Sequence, residues 1–304
     1  MSVLRDGFIA GLAGVLLLSG PALAQEDESG DDGDIVVTGR ADRAPPTNSE
    51  VSRQARSVTE GGNLRHQALA RFERRLCPGV IGLKPDMATL VIDRIRYQAS
   101  QLEMGLTRDD GTCSPNLVVA FVRDGKAELA ALAKEHGYLF QDMPLHERRR
   151  LLAEDGPVRV WTTTLARTRD GMPVPRSDGG SPPVVSMGMA HSKIYLATRE
   201  DIEFVVVLFD LEKMMGKTLV QLADYATMRG LARTRPVEGG GEAMDTILAL
   251  FDPDAQPPAE MTEFDRAYLA ALYDGMANMP GVTKVLGVNR QLRRLEDAGE
   301  PAAE

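Results

Sequence analysis

Apolar positions recur with two different periods in residues 61–304, which predicts a single domain of mixed α and β structure. Short apolar runs rich in β-branched residues predict strands at 116–122, 158–164, 192–197 and 202–209. Apolar residues spaced three or four apart predict helices at 84–104, 126–136, 218–231 and 262–273. A loop rich in Gly, Pro, Arg and Ser lies within 165–185 and marks a possible subdivision of the domain.

Turn and cap signals refine the expected topology. The last two predicted strands are joined by Thr198–Asp201, which has the length of a hairpin connection, so we expect an antiparallel pair. Thr262 is suited to cap the last helix, and Glu263 and Asp265 in its first turn favour the helix dipole. Residues after Thr283 become polar and are expected to fray. The expected fold class is therefore α+β, with a mixed sheet that contains an antiparallel pair and is flanked by helices.

The first residues carry an export pattern. Arg5 precedes an apolar run from Phe8 to Leu18, which is too short to span a bilayer. Ala22 and Ala24 then form an A-x-A site, which signal peptidases cleave. Residues 1–24 are thus expected to be a signal peptide, and the mature chain of 280 of the 304 residues is expected in the periplasm. An uncleaved membrane anchor is the alternative.

Residues 25–60 are rich in Asp, Glu, Gly, Ser and Pro, and this composition predicts a disordered acidic tail. One apolar island, Asp34–Arg40, has the β-branched content of a strand and can add to a sheet edge in a partner. It resembles the short segment near the N-terminus of many mature TonB-dependent outer-membrane receptors. The chain is too short for the plug and barrel of such a receptor, so this resemblance implies an accessory factor for TonB-linked uptake. A simple linker is the alternative.

Charge and cysteine content exclude some function classes and favour one covalent link. The net charge of -9 and the pI of about 5.1 argue against a nucleic-acid partner. No apolar run after the signal peptide is long enough to cross a membrane. The two cysteines, Cys77 and Cys113, are expected to form a disulfide in an exported chain. A redox or metal role is the weaker alternative because the chain has no C-x-x-C motif.

The last third of the chain carries the features of one family. Met261–Asp265 opens the last predicted helix with M-T-E-F-D, and Leu272-Tyr273 closes it. This ending resembles the catalytic half of zincin metalloproteases. In those enzymes an edge hairpin precedes a helix with H-E-x-x-H, and many end with a helix that opens L-[ST]-x-x-D and closes L-Y. The resemblance implies a zincin-like C-terminal half, similar to uncharacterised exported bacterial proteins.

The zinc motif of that family is missing. Aligning it along Leu222–Leu231 places Asp224 and Met228 at the two His positions and Tyr225 at the general-base Glu. A carboxylate and a thioether do not replace paired imidazoles, because a catalytic zinc needs three protein ligands and a bound water. We therefore expect no metal, no cofactor and no catalytic residues, with Asp224, Tyr225 and Met228 as degenerate zinc-helix positions.

Other catalytic patterns are also absent from the sequence. It has no G-x-S-x-G, no P-loop and no dinucleotide-binding motif, and no two histidines lie four residues apart. His191 precedes Ser192 and can orient a serine nucleophile, although a loop histidine bonded to backbone explains it more simply. The run His146–Arg150 can dock an acidic partner or form a solvated helix face. Trp161, the sole tryptophan, is expected in the core.

These observations lead to one leading hypothesis. The chain is expected to be a non-catalytic, exported, zincin-like protein that binds a peptide or protein partner. A periplasmic hydrolase whose residues meet only in the fold is the alternative, with His191, a serine and a carboxylate as its candidates. The sequence does not indicate the partner or the oligomeric state.

The export pattern makes a direct prediction. Protein recovered from the periplasm of an expressing bacterium should begin at Gln25, as read by N-terminal sequencing, because Ala22 and Ala24 fit the peptidase pocket. A double variant, Ala22→Asp and Ala24→Asp, should stay unprocessed in the membrane fraction. Wild-type protein that keeps residues 1–24 would contradict the assignment.

Overall fold

The structure is a computed structural model that describes residues 45–108, 110–140, 143–175, 184, 192, 194–240 and 242–299. Residues 1–24, the Asp34–Arg40 segment, His191, and residues 176–183 and 185 of the 165–185 loop lie outside these ranges. The described residues from Pro45 onward belong to one structural unit.

The described residues form seven α-helices and four β-strands. The helices are α1 (Asn48–Val58), α2 (Pro85–Gln101), α3 (Gly125–Glu135), α4 (Leu145–Ala153), α5 (Leu219–Leu231), α6 (Glu263–Tyr273) and α7 (Gly281–Gly299). The strands are β1 (Pro78–Ile81), β2 (Leu117–Val122), β3 (Val158–Thr168) and β4 (Thr198–Asp210). The predicted α+β class is confirmed.

The four strands form one mixed sheet in the order β1-β2-β4-β3. β1, β2 and β4 are parallel, and β3 is antiparallel to β4. The predicted antiparallel pair is therefore present, but it joins different strands from those expected. β3 is an edge strand of this sheet, because β4 is its only neighbour among the described strands.

The expected hairpin at Thr198–Asp201 is wrong. These residues begin β4 and pair with the end of β3, and the described residues of 192–197 are not in a strand. The four polar residues resemble a turn in sequence, but Arg199 and Asp201 form ion pairs within the sheet. Asp201 lies 2.9 Å from the Arg199 Nε and 3.2 Å from the Arg167 Nε.

The two faces of the sheet bury separate apolar clusters. Leu117, Val119 and Phe121 of β2 face a large core that α1, α2, α5, α6 and α7 complete. Ala120 faces a smaller cluster that contains Leu129 of α3, Leu151 of α4 and Trp161 of β3. This alternation follows from the two-residue period of a strand, because both faces of a central strand are covered.

Helix α1 corrects the expected disordered tail at residues 25–60. Val51, Ala55 and Val58 are buried on one stripe of this helix, which packs on α7. Thr47 caps the helix, and the Thr47 N–H donates to the Glu50 carboxylate at 2.8 Å. A polar composition concealed this narrow apolar stripe, since only three buried apolar side chains in eleven residues leave the mean hydropathy low.

Helix α7 corrects the expected fraying after Thr283. The helix continues to Gly299, and Val285, Val288 and Leu292 are buried in the large core. Asn289 donates to the carbonyl of Asn48 at 3.1 Å, which ties α7 to the start of α1. The two polar helices thus stabilise each other by burying their stripes together.

The predicted disulfide is confirmed between Cys77 and Cys113, which are 36 residues apart. It joins the residue before β1 to the loop before β2. The Cys77 N–H also donates to the Asn116 side chain at 2.8 Å. The covalent link therefore encloses α2 and fixes the starts of two neighbouring strands.

Removing this disulfide should lower stability substantially. A Cys77→Ala, Cys113→Ala variant should lose about 4 kcal/mol of unfolding free energy, because the link restricts a 36-residue loop in the unfolded chain. Urea denaturation of the oxidised wild type and the variant measures this difference. Fully reduced wild type is the matched control and should resemble the variant, and a loss under about 1 kcal/mol would contradict the prediction.

Candidate functional site

A cavity of about 390 Å³ lies beside the first half of β3. Arg159 and Trp161 line it from one face of the strand, and Val158 and Val160 line it from the other. Since both faces contribute, the cavity extends around the open edge of β3. Residues of α4 form one wall, and residues of α5 with the segment 233–238 form the other.

The backbone of β3 is available at this edge. The Asp210 N–H donates to the Pro157 carbonyl at 3.0 Å. Because hydrogen-bonded and non-hydrogen-bonded pairs alternate in an antiparallel ladder, this bond determines which residues of β3 bond to β4. Backbone groups at Val158, Val160 and Thr162 therefore point away from β4. No backbone group of the described residues bonds to them.

The far end of β3 is already covered. The Val174 N–H donates to the Ala166 carbonyl at 2.9 Å, and the Thr168 N–H donates to the Met172 carbonyl at 2.8 Å. The loop after β3 therefore folds back on the strand end. Among the residues that the structure describes, the unpaired part of this edge coincides with the cavity.

One arginine connects the two walls. The Arg233 Nε lies 3.2 Å from Glu60, and its Nη2 lies 3.6 Å from Glu147 of α4. All three residues line the cavity, and Glu60 and Arg233 also line a second cavity of about 260 Å³. Their side chains are about 30% exposed, for example 31% for Arg233 and 29% for Glu147, so each pair contributes less than about 1 kcal/mol.

Helix α5 presents Tyr225 and Arg229 to the cavity, one helical turn apart. Thr218 caps the helix, in a capping box with Gln221. The Arg229 Nη1 donates to the Tyr225 hydroxyl at 3.0 Å. Arg229 was not among the residues expected at the site, although it lies four residues after Tyr225.

The expected degenerate zinc positions separate in the structure. Tyr225 lines the cavity, whereas Met228 is fully buried in the large core. Asp224 is also fully buried and accepts from the Arg94 Nε at 2.8 Å and the Arg94 Nη2 at 2.7 Å. Asp224 further accepts from the Met261 N–H at 2.7 Å. It therefore links α2, α5 and the entry to α6, which is a structural role.

Asp265 has a structural role as well. It is fully buried and accepts from the Thr246 hydroxyl at 2.5 Å and from the Ile247 N–H at 2.8 Å. Burial raises the pKa of Asp265, and these hydrogen bonds oppose that rise. Thr262 caps α6, as predicted, in a capping box with Asp265.

The candidate residues for metal or hydrolytic chemistry do not assemble in the described ranges. Among those residues, no three His, Cys, Asp or Glu side chains are close enough to hold a metal ion. His146 is exposed on α4, and His66 lines the second cavity. His191 is outside the described residues, so the proposed serine partnership stays a prediction.

Trp161 is buried as expected, with its ring centroid 5.5 Å from that of Phe140. It also lines the cavity, and within the described ranges its Nε1 has no hydrogen-bond partner. Arg150, in the basic run on α4, lines the same cavity. The basic run is thus partly a solvated face and partly a wall of the site.

The structural role of Asp224 leads to a stability prediction. Asp224→Asn should lower the unfolding free energy by about 3 kcal/mol, because it leaves the Arg94 guanidinium facing a neutral amide in a buried site. Met228→Leu, one turn away, keeps the volume and should cost less than about 1.5 kcal/mol. Chemical denaturation measures both variants, and equal effects would contradict the distinction.

In the part of the chain that the structure describes, none of the helices has the length and apolarity needed to cross a membrane. Comparison with known proteins identifies no matching family model, no matching curated protein and no matching solved structure.

Proposed function

We propose that this chain is an exported, non-catalytic, zincin-like protein that binds an extended peptide segment of a partner along the open edge of β3. The observation that carries the proposal is the row of unpaired backbone groups at Val158, Val160 and Thr162 beside a cavity. An extended peptide satisfies such groups by adding a strand to the sheet. Main-chain hydrogen bonds then supply affinity, and the walls of the cavity select side chains.

The shape of the site fits this role. A volume of about 390 Å³ lies within the range of ligand sites in proteins. The apolar part of its lining includes Val237, Leu248 and Phe251, and the polar part includes Arg229 and Glu147. Alternate side chains of an added strand point to opposite faces, so one set meets α4 and the other meets α5.

The order of elements supports the zincin-like part of the proposal. Among the described strands, β3 and β4 are consecutive and antiparallel at the sheet edge, and α5 is the next α-helix after a short 3-10 turn at Leu211–Met214. The zincin resemblance implies this order of edge strands and helix. The cavity lies between that edge and that helix, and it is lined by Tyr225, the general-base position of the zincin alignment, and by Arg229.

The disulfide supports export, because such bonds persist in oxidising compartments.

A proline at the open edge tests the peptide site. The Val160 N–H points away from β4, so Val160→Pro removes a donor for the peptide without removing a ladder hydrogen bond. Random ten-residue peptides displayed on phage are selected on the purified full chain, and the selected peptides are titrated while Trp161 fluorescence is recorded. Since Trp161 is the only tryptophan and lines the cavity, its emission reports occupancy. Val160→Pro should weaken binding about tenfold or more.

Val160→Ala is the matched control, because it shortens the same side chain and keeps the N–H. It should bind within about threefold of wild type. Val158→Pro, at the first position of the strand, repeats the test if Val160→Pro lowers the melting temperature. Failure to select any peptide, or equal affinities for the wild type and both proline variants, would overturn the proposal.

A further inference from the structure

The guanidinium of Arg229 is a buried charge that borders the cavity. Arg229 is only 9% exposed, and among the described residues its Nε has no hydrogen-bond partner. Its Nη1 donates to a neutral group, the Tyr225 hydroxyl. None of the ion pairs within 4.0 Å among the described residues includes Arg229.

An arginine stays protonated at all physiological pH values, so this buried charge cannot be relieved by losing a proton. A buried charge without a counterion is costly, and in folded proteins such charges are normally paired. The contrast with Arg94 is direct, because its guanidinium makes a bidentate pair with Asp224. Arg229, one turn further along the same helix face as Tyr225, faces a cavity instead of a carboxylate.

The acidic residues of the cavity are engaged elsewhere or exposed. Glu60 and Glu147 both pair with Arg233. Glu154 and Glu238 line the cavity but are exposed to solvent. The described walls therefore supply no buried counterion to Arg229.

The other buried arginine at the cavity is committed to the fold. Arg159 donates from Nε and Nη2 to the Glu154 carbonyl at 3.1 and 2.7 Å. Its Nη1 lies against Gly125, where an added Cβ would be only 2.5 Å away. The Arg159 Nη1 also has no hydrogen-bond partner among the described residues, but it lies at Gly125, which does not line the cavity. Arg229 is thus the buried cation that remains for a ligand, and the Trp161 Nε1 is a further unpartnered donor among the described lining residues.

We infer that the segment bound at β3 carries a carboxylate that pairs with the Arg229 guanidinium, next to an apolar group packed on Phe251 and Leu248. This inference deepens the proposed function and rests on it. The carboxylate comes from an Asp or Glu side chain or from the C-terminus of the peptide, since the two present the same group to an arginine. A guanidinium binds such a group with two parallel hydrogen bonds.

The first test compares acid and amide forms on the wild-type full chain. Each selected peptide is made with a free or amidated C-terminus, and with each Glu or Asp replaced by Gln or Asn. One of these changes should weaken binding about 30-fold or more, because it removes the charge that compensates Arg229. The change that does so identifies the source of the carboxylate. Equal affinity for all forms would overturn the inference and leave the β3 peptide site standing.

The second test uses Arg229→Gln with Arg235→Gln as the matched control. Arg235 lines the same cavity but is exposed, so both variants lose one positive charge. Arg229→Gln should bind the acid and amide peptides within about threefold of each other, whereas Arg235→Gln should keep the wild-type preference. Preserved discrimination in Arg229→Gln would overturn the inference. Tyr225→Phe, which retains the arginine, is a second control and should also keep the preference. If Arg229→Gln unfolds, the acid and amide comparison on the wild-type chain still decides the inference.

A third measurement needs no peptide. 4-Phenylbutyrate and 4-phenylbutyramide have nearly the same shape and differ in charge, and Trp161 emission follows their titration. The acid should saturate the signal in the wild type and in Arg235→Gln but not in Arg229→Gln, and the amide should have no effect. Binding of the acid without any peptide binding would overturn the proposed peptide function alone. Equal responses to acid and amide would overturn the carboxylate inference.

Discussion

The pairing of β3 with β4 is the constraint on which the rest of the structure depends. The register places Val158 opposite Phe209 and Trp161 opposite Val206. Because side chains alternate along a strand, a slip by one residue would exchange the two faces. It would move Val158 and Val160 away from the large core and expose Trp161. The same register decides which backbone groups bond to β4 and which remain at the open edge.

The ion pairs of the fold show two ways of handling buried charge. Asp224 is fully buried and has its lone pairs occupied by Arg94, Gln98 and the Met261 N–H. Such a satisfied pair adds specificity to the packing of α2 on α5 more than net stability. Arg229 lies on the same helix, and none of the described residues forms an ion pair with it. A chain that compensates one buried charge so completely and leaves another unpaired beside a cavity is arranged to receive an anion there.

The sequence predicts those elements whose local signals agree with their tertiary environment. β2 is a continuous apolar run and is buried on both faces, and Thr218 and Thr262 cap their helices with capping boxes. The polar start of β4 was not predictable, because Asp201 is stabilised by Arg167 of another strand. Helices α1 and α7 were missed for a similar reason, since the stripe of α1 is buried on α7 and the stripe of α7 is buried on both α6 and α1.

The candidate site was harder to predict than the fold. All residues from Gln221 to Leu231 are buried, so this stretch of the helix has no solvent-exposed face, and the sequence pattern does not indicate its orientation. The alignment on Asp224 and Met228 was therefore displaced by one residue from the pair that faces the cavity. One residue turns the helix by about 100°, which exchanges the packing surface on α2 for the surface beside β3. The Tyr225 and Arg229 spacing was visible in the sequence, but an open strand edge is a property of the assembled sheet.

The contacts of Arg233 bear on how a peptide reaches this edge. Arg233 belongs to one wall and Glu147 to the other, so their ion pair spans the opening beside β3. A peptide that adds to β3 has to displace this contact or pass beneath it. The contact is partly exposed and contributes less than about 1 kcal/mol, whereas each main-chain hydrogen bond of an added strand contributes about 1 kcal/mol. Three residues of β3 face outward, so replacing the one ion pair by these main-chain hydrogen bonds favours the bound peptide. The freed Glu147 and Arg233 then lie beside the peptide as charged groups that discriminate among sequences.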